Sequence, residues 1–165
     1  MKKIDLKEIV ENLIDTFINA GKISLDLRVK GLSKKIKPDN TPVSNGDLEV
    51  NKIITKKIND LTPNIPIVSE ETSDNKSIHN LKDFWLIDPI DGTYDYINDK
   101  DEFTINAGLI INNKPVAGLI YAPAKNRMFF SYGTNLAFES INGENIKLDS
   151  SKNFNKEEIK FVTYS

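Results

Sequence analysis

The chain has 165 residues, 39% apolar and 28% charged, with 22 basic against 24 acidic side chains and a formal net charge of −2. One globular domain or somewhat more is expected, not disorder. The absence of cysteine and the single histidine, His79, exclude disulfides, thiolate metal sites and cysteine nucleophiles, and leave histidine-rich zinc sites or a serine–histidine–aspartate triad without parts.

From Asp5, the residues Leu6, Ile9, Val10, Leu13, Ile14, Phe17 and Ile18 recur at steps of three and four. This stripe predicts an amphipathic helix, capped by Asp5 with Glu8 and running towards Leu27, where Ala20 and Gly21 allow close contact with a neighbour. The acids Asp5, Glu8, Glu11 and Asp15 near the start oppose a signal or transit peptide. No stretch approaches a membrane span, and balanced charge argues against nucleic-acid binding, so a cytoplasmic protein is expected. Lys30 to Thr41, with Gly31, Pro38 and Asn40, reads as a loop. Ser44 then opens a second helix, with Leu48, Val50, Ile53, Ile54, Ile58 and Leu61 as its expected buried side and Lys52, Lys56 and Lys57 on its wet face.

Beyond Pro63 the period shortens to that of strands: Ile65 to Ser69, Phe84 to Asp88, Phe103 to Ile111, Pro115 to Tyr121, Arg127 to Tyr132 and Leu136 to Glu139. Asn112-Asn113 and Asn142-Gly143 suit tight hairpin turns with positive φ at both central positions. The fold class expected is α+β, a layered arrangement with two long helices packed on one face of an antiparallel sheet. Ile159 to Tyr164 reads as one more strand, with nothing after it to pair with.

Four acids, Asp47, Glu70, Asp88 and Asp91, stand where elements end. If the strands before Glu70 and Asp88 are neighbours, the two carboxylates converge at one sheet edge. At about 4 Å they would repel by ~4 kcal/mol at an effective dielectric near 20, so the cluster needs a cation or a proton. With oxygen ligands only, Mg²⁺ is the natural choice. In Asp88-Pro89-Ile90-Asp91-Gly92-Thr93, Pro89 removes a backbone donor and is expected to bend the chain out of the strand, freeing the Ile90 carbonyl as a further hard ligand. Gly92 and Thr93 open a short helix through Ile97, whose free N–H groups would seat phosphate. The pattern suggests metal-assisted phosphate ester hydrolysis. A covalent Asp-x-Asp-Gly-Thr mechanism is excluded, because Pro89 holds the nucleophile position. Plainer readings stand beside these. Ser44-x-x-Asp47 is an acceptable capping pair, Glu70-Glu71 could be a solvated turn, and Thr93 a helix cap. His79 reads as exposed, Trp85 as a core anchor, and Asp95, Asp99, Asp101 and Glu102 as a wet helix end and turn.

The segments Thr41-Pro42-Val43-Ser44-Asn45-Gly46-Asp47, Ser69-Glu70-Glu71 and Trp85-Leu86-Ile87-Asp88-Pro89-Ile90-Asp91-Gly92-Thr93 together resemble the inositol monophosphatase superfamily of Mg²⁺-dependent, lithium-sensitive phosphatases. Asp101 to Asn106 and Val116 to Pro123 resemble its 3′(2′),5′-bisphosphate nucleotidase branch, which converts adenosine 3′,5′-bisphosphate to AMP. The resemblance implies that Glu70, Asp88 and the Ile90 carbonyl hold a first Mg²⁺ and that Asp88 with Asp91 faces a second. Asp47 and Thr93 would orient the attacking water, with Glu70 completing the catalytic set. The Gly92 and Thr93 amides would bind substrate phosphate, and Glu71 would assist. Tyr94 departs from the lysine of that branch. The family's downstream Trp-Asp-x-Ala-Ala-Gly, whose aspartate completes the second metal site, has no counterpart, since Leu86 follows the single tryptophan. The implied organisation is a metal- and phosphate-binding α+β domain over residues 1–150 and the start of a truncated C-terminal α/β domain over 151–165. The expected partner is a small phosphorylated substrate, nucleotide bisphosphate or inositol phosphate. Weak activity for the chain alone, a complementing C-terminal chain and a noncatalytic remnant are the expectations that follow from the missing motif.

Overall fold

A computed structural model describes residues 5–38, 40–72 and 81–149; His79 and the strand expected over 159–164 lie outside these. Helix α1, Leu6–Lys30, begins on Asp5, whose side chain accepts from the Glu8 N–H at 3.1 Å, and ends at Gly31. Its buried stripe is Val10, Leu13, Phe17, Ala20, Gly21 and Ser24. Gly21 is there for close approach, since a Cβ would lie 2.5 Å from the Tyr121 ring and 3.0 Å from Pro123.

The segment after α1 departs from the expected loop. Strand β1, Lys34–Ile36, pairs antiparallel with β2, Pro42–Ser44, as a small hairpin. Helix α2, Asn45–Leu61, follows from a Ser44 cap. Val50, Ile54 and Ile58 are fully buried as expected, but Leu48 is 50% exposed, and Asp47 and Asn51 take places on the buried stripe. At 100° per residue Leu48 points away from the line through 47, 50, 51, 54 and 58. The inward stripe of α2 therefore mixes Asp47 and Asn51 with Val50 in its first two turns and is apolar beyond them.

The main sheet holds β3 (Ile67–Ser69), β4 (Phe84–Asp91), β5 (Thr104–Ile111), β6 (Lys114–Ala122), β7 (Arg127–Tyr132), β8 (Ala137–Ile141) and β9 (Glu144–Lys147), side by side in chain order. From β4 onward every pair is antiparallel; β3 joins β4 in parallel. The expectation of an antiparallel sheet is corrected at this edge. The turns are as expected: Asn112 and Asn113 have φ of 52° and 61°, and Asn142 and Gly143 have 52° and 85°. The five-residue helix α3, Thr93–Ile97, sits between β4 and β5.

Alternation along the strands sends Trp85, Ile87, Ile105, Leu109, Leu119 and Phe130 into one core, which α1 and α2 complete with Leu13, Phe17, Ile54 and Ile58. Each such side chain contributes roughly 1.5–3 kcal/mol on burial. Trp85 also donates its indole N–H to the Thr62 hydroxyl at 3.1 Å. The other sheet face carries Leu86, Asp88, Asn106 and Ile120, with Leu86 and Ile120 about half exposed. Among the described residues no helix is long and apolar enough to cross a membrane.

Candidate metal and phosphate site

Parallel pairing of β3 with β4 sets Ile67 beside Trp85, Val68 beside Leu86 and Ser69 beside Ile87. The next residue on each strand is a carboxylate, Glu70 and Asp88, and both reach the same sheet edge. The Glu70 N–H extends the ladder by donating to the Ile87 carbonyl at 3.1 Å. Strand β4 does not end at Pro89, contrary to expectation; it continues to Asp91 with a register shift between Asp88 and Asp91. A proline is tolerated at such a bulge because no ladder donor is needed there. The Ile90 carbonyl accepts from the Thr93 hydroxyl at 2.9 Å, which leaves one of its two lone pairs for another ligand.

Asp47 is buried, 1% exposed, at the third position of α2. Its Oδ2 accepts from the Ser44 N–H at 2.8 Å and the Ser44 hydroxyl at 2.6 Å, while its Oδ1 accepts from the Thr93 hydroxyl at 3.1 Å. The capping reading and the site reading of Asp47 thus describe two oxygens of one carboxylate. Gly92, with φ of 89°, caps α3, and a Cβ there would fall 2.7 Å from the Glu102 carbonyl oxygen. The N–H groups of Gly92, the cap, and Thr93, the first helical residue, have no intrahelical carbonyl to accept them.

Two residues that the motif reading did not single out belong to this edge. Lys37, in the β1–β2 hairpin, pairs with Glu71 at 2.7 Å and Glu70 at 3.1 Å. Burial opposes its charge, but the bonds from Glu71 and Glu70 outweigh it and hold the ammonium pKa above its usual value. Burial raises the Glu71 carboxyl, with Lys37 pulling the other way. No signal in the sequence separates Lys37 from its lysine neighbours; the hairpin alone brings it here. The second is Asn106 on β5, whose Nδ2 donates to Asp91 Oδ2 at 3.3 Å. The buried stripe of α2 adds Asn51, which accepts the Ser69 hydroxyl at 2.7 Å and steadies the end of β3.

Asp88 has the most perturbed carboxyl. Burial, then the charges of Glu70 and Asp91, a hydrogen bond shared with the Glu70 carboxyl and the charge of Asp47 push its pKa up to about 7. Its Oδ1 is buried without a hydrogen-bond partner. A buried, partnerless anionic oxygen among like charges is stabilised by a cation or a proton. No three acidic or histidine side chains among the described residues form a metal cage by themselves. Magnesium does not require one, because it is commonly held by one or two carboxylates with retained water and substrate phosphate. Glu70 with Asp88 and the Ile90 carbonyl, and Asp88 with Asp91, are oxygen sets of that kind.

The acids read as a wet turn are met by bases: Asp95 by Lys100 at 2.9 Å, Asp101 by Arg28 at 3.0 Å and Glu102 by Lys125 at 3.4 Å. They line, with Asp91 and Gly92, a cavity of about 460 Å³ beside the carboxylates. Tyr94 is 67% exposed.

The sequence pattern of the Inositol monophosphatase family matches residues 5–163. A 3′(2′),5′-bisphosphate nucleotidase CysQ of Buchnera aphidicola subsp. Acyrthosiphon pisum is 38% identical over 121 residues, 73% of this chain and 46% of the relative. Among solved structures, CysQ of Bacteroides thetaiotaomicron superposes with a TM-score of 0.67 at 27% identity, over 84% of this chain and 50% of that one. An IMPase/NADP phosphatase complexed with Mg²⁺ and phosphate superposes with a TM-score of 0.72 at 18% identity, over 82% and 52%, a likeness of fold. The chain spans about half the length of these relatives.

Proposed function

We propose that this chain, which belongs to the inositol monophosphatase family, carries the metal- and phosphate-binding part of a Mg²⁺-dependent phosphomonoesterase that releases the 3′-phosphate of adenosine 3′,5′-bisphosphate, leaving AMP. The observation that carries the reading is Asp88, a carboxylate with a buried partnerless oxygen between Glu70 and Asp91. The choice of substrate is supported by the CysQ relatives, named as bisphosphate nucleotidases. A cytoplasmic location goes with it.

Glu70, Asp88 and the Ile90 carbonyl would hold one Mg²⁺, and Asp88 with Asp91 a second. When bound, such cations polarise the phosphoryl oxygens and lower the pKa of the attacking water. The chain's own groups do the rest. The single Thr93 hydroxyl proton has two acceptors in reach, the Ile90 carbonyl at 2.9 Å and Asp47 Oδ1 at 3.1 Å. With the Ile90 carbonyl given to a cation it goes to Asp47, and the Thr93 oxygen presents lone pairs to the attacking water. As the water attacks phosphorus, its proton passes to Thr93 while the Thr93 proton moves to Asp47. The bond from phosphorus to the 3′ oxygen breaks, and that oxygen takes a proton from solvent. The Gly92 and Thr93 N–H groups bind phosphate oxygens, and Lys37 stands against Glu70 and Glu71.

Residues 1–150 are read as the metal- and phosphate-binding domain. Because the chain spans about half the length of its relatives, turnover is measured for the chain alone and with the C-terminal half of a relative supplied. A second substrate reading, inositol 1-phosphate, follows from the family match, and Tyr94 departs from the lysine of the bisphosphate branch. Phosphate release from each ester, with Mg²⁺ and with EDTA, tests both. Mg²⁺-dependent release from the nucleotide supports the first reading, release from inositol 1-phosphate alone supports the second, and release from neither, even with the added half, supports a noncatalytic remnant.

A further inference from the structure

We propose that Asn106 is a cation-site residue: its amide N–H fixes Asp91, and its amide oxygen is a neutral third ligand for a cation seated between Asp88 and Asp91. The inference rests on the reading of these two carboxylates as cation ligands. Strands β4 and β5 set Asn106 directly opposite Asp88 on the same sheet face, the arrangement in which side chains of facing residues meet. Asn106 Nδ2 donates to Asp91 Oδ2 at 3.3 Å, and Oδ1 is the other arm of the same amide. Reversing the amide would set oxygen against oxygen, so Asp91 determines which way it points.

Two buried side-chain oxygens among the described residues have no hydrogen-bond partner, and they are Asp88 Oδ1 and Asn106 Oδ1. They belong to facing residues of one strand pair. While Asp88 is ionised neither oxygen can donate, so they cannot satisfy each other, and a proton on Asp88 is what would stand in for a cation there. A cation shared by both would satisfy the pair. Packing does not call for asparagine here: its neighbour on β6 is Ile120, and Gly108 and Leu86 occupy the same face. A neutral oxygen suits the place better than another acid, which would add to the repulsion among Glu70, Asp88 and Asp91.

The test is Mn²⁺ binding to the full chain, by calorimetry and by the loss of the free-ion paramagnetic resonance signal, with the thermal unfolding of the metal-free protein as the control for fold. The expected wild-type result is two bound ions. Asn106→Leu should weaken the looser ion by about 10- to 100-fold and leave the tighter one and the metal-free melting temperature nearly unchanged. Asn106→Asp, which puts an anionic oxygen at the position, should bind the looser ion more tightly. A folded Asn106→Leu with both ions unchanged, or a wild-type chain that takes one ion only, overturns the proposal. Should Asn106→Leu not fold, Asn106→Asp decides: altered affinity for the looser ion upholds it, unchanged affinity overturns it. A chain that binds no Mn²⁺ overturns the proposed function itself, and this inference with it.

Discussion

The hydroxyl of Thr93 donates to the carboxylate of Asp47 at 3.1 Å, joining residues 46 positions apart. One end of the bond is the first turn of α2, the other the first turn of α3. Helix α3 is held to it by Tyr96, whose hydroxyl donates to the Ser24 carbonyl of α1 at 2.7 Å.

Thr93→Val removes this hydroxyl at nearly constant volume. If Thr93 passes the water's proton, phosphate release should fall by about 10²- to 10⁴-fold, and Thr93→Ser should recover most of it. Unfolding measured beside the rates should show a loss of about 1–3 kcal/mol, because Asp47 Oδ1 loses its partner while the capping bonds of Oδ2 to Ser44 survive, and Thr93→Ser should recover that as well.

Asp88 makes the metal-free chain sensitive to pH. Its folded pKa, about 7, is raised from the ordinary 3.8. Between those values the folded state binds more protons than the unfolded one, so stability is greatest below pH 4 and declines as pH rises towards 7. Other groups being equal, Asp88→Asn should flatten that decline in denaturant titrations. Divalent-cation affinity should run the opposite way, falling about tenfold for each pH unit below 7 as the proton competes.

Lys37 acts as a counter-ion for Glu70 and Glu71. Lys37→Gln leaves those acids facing one another, so the metal-free chain should melt lower, by an amount of order 1–3 kcal/mol after solvent screening. A competing cation is also lost, so the rise in melting temperature on adding Mg²⁺ should be larger than in the wild type. An unchanged metal-induced shift would place Lys37 outside the site's electrostatics.

Gly46→Ala tests the seat of α3. A Cβ at Gly46 would fall within 2.7 Å of the Tyr96 ring carbon Cε1, and Tyr96 is fully buried. Overpacking of this kind costs typically 1–3 kcal/mol. Thermal unfolding should show that loss, and phosphate release should fall as well, because displacing Tyr96 moves Thr93 off Asp47.

Local interactions were legible in the residues. The Asp5 cap, the helical stripe of α1 through Val10, Leu13 and Phe17, and the Asn112-Asn113 turn each depend on neighbours a few positions apart, and the structure has them as the pattern predicts, except that Ile18, expected on the stripe, is exposed. The acids around Asp88 were also legible as candidates, because a Pro-Ile step between two aspartates is poor material for a plain turn. Periodicity failed at Leu48, where hydrophobicity suggested the core but the geometry of α2 turned Asp47 and Asn51 inward instead. Only the tertiary structure decided which residues share the site. The parallel pairing of β3 with β4 draws Glu70 to Asp88, the β1–β2 hairpin delivers Lys37, and the register of β5 sets Asn106 opposite Asp88. Strand pairing is made by backbone groups that every residue carries, so its order and register leave no mark on a single segment; they follow from which faces must be buried together when the whole chain packs.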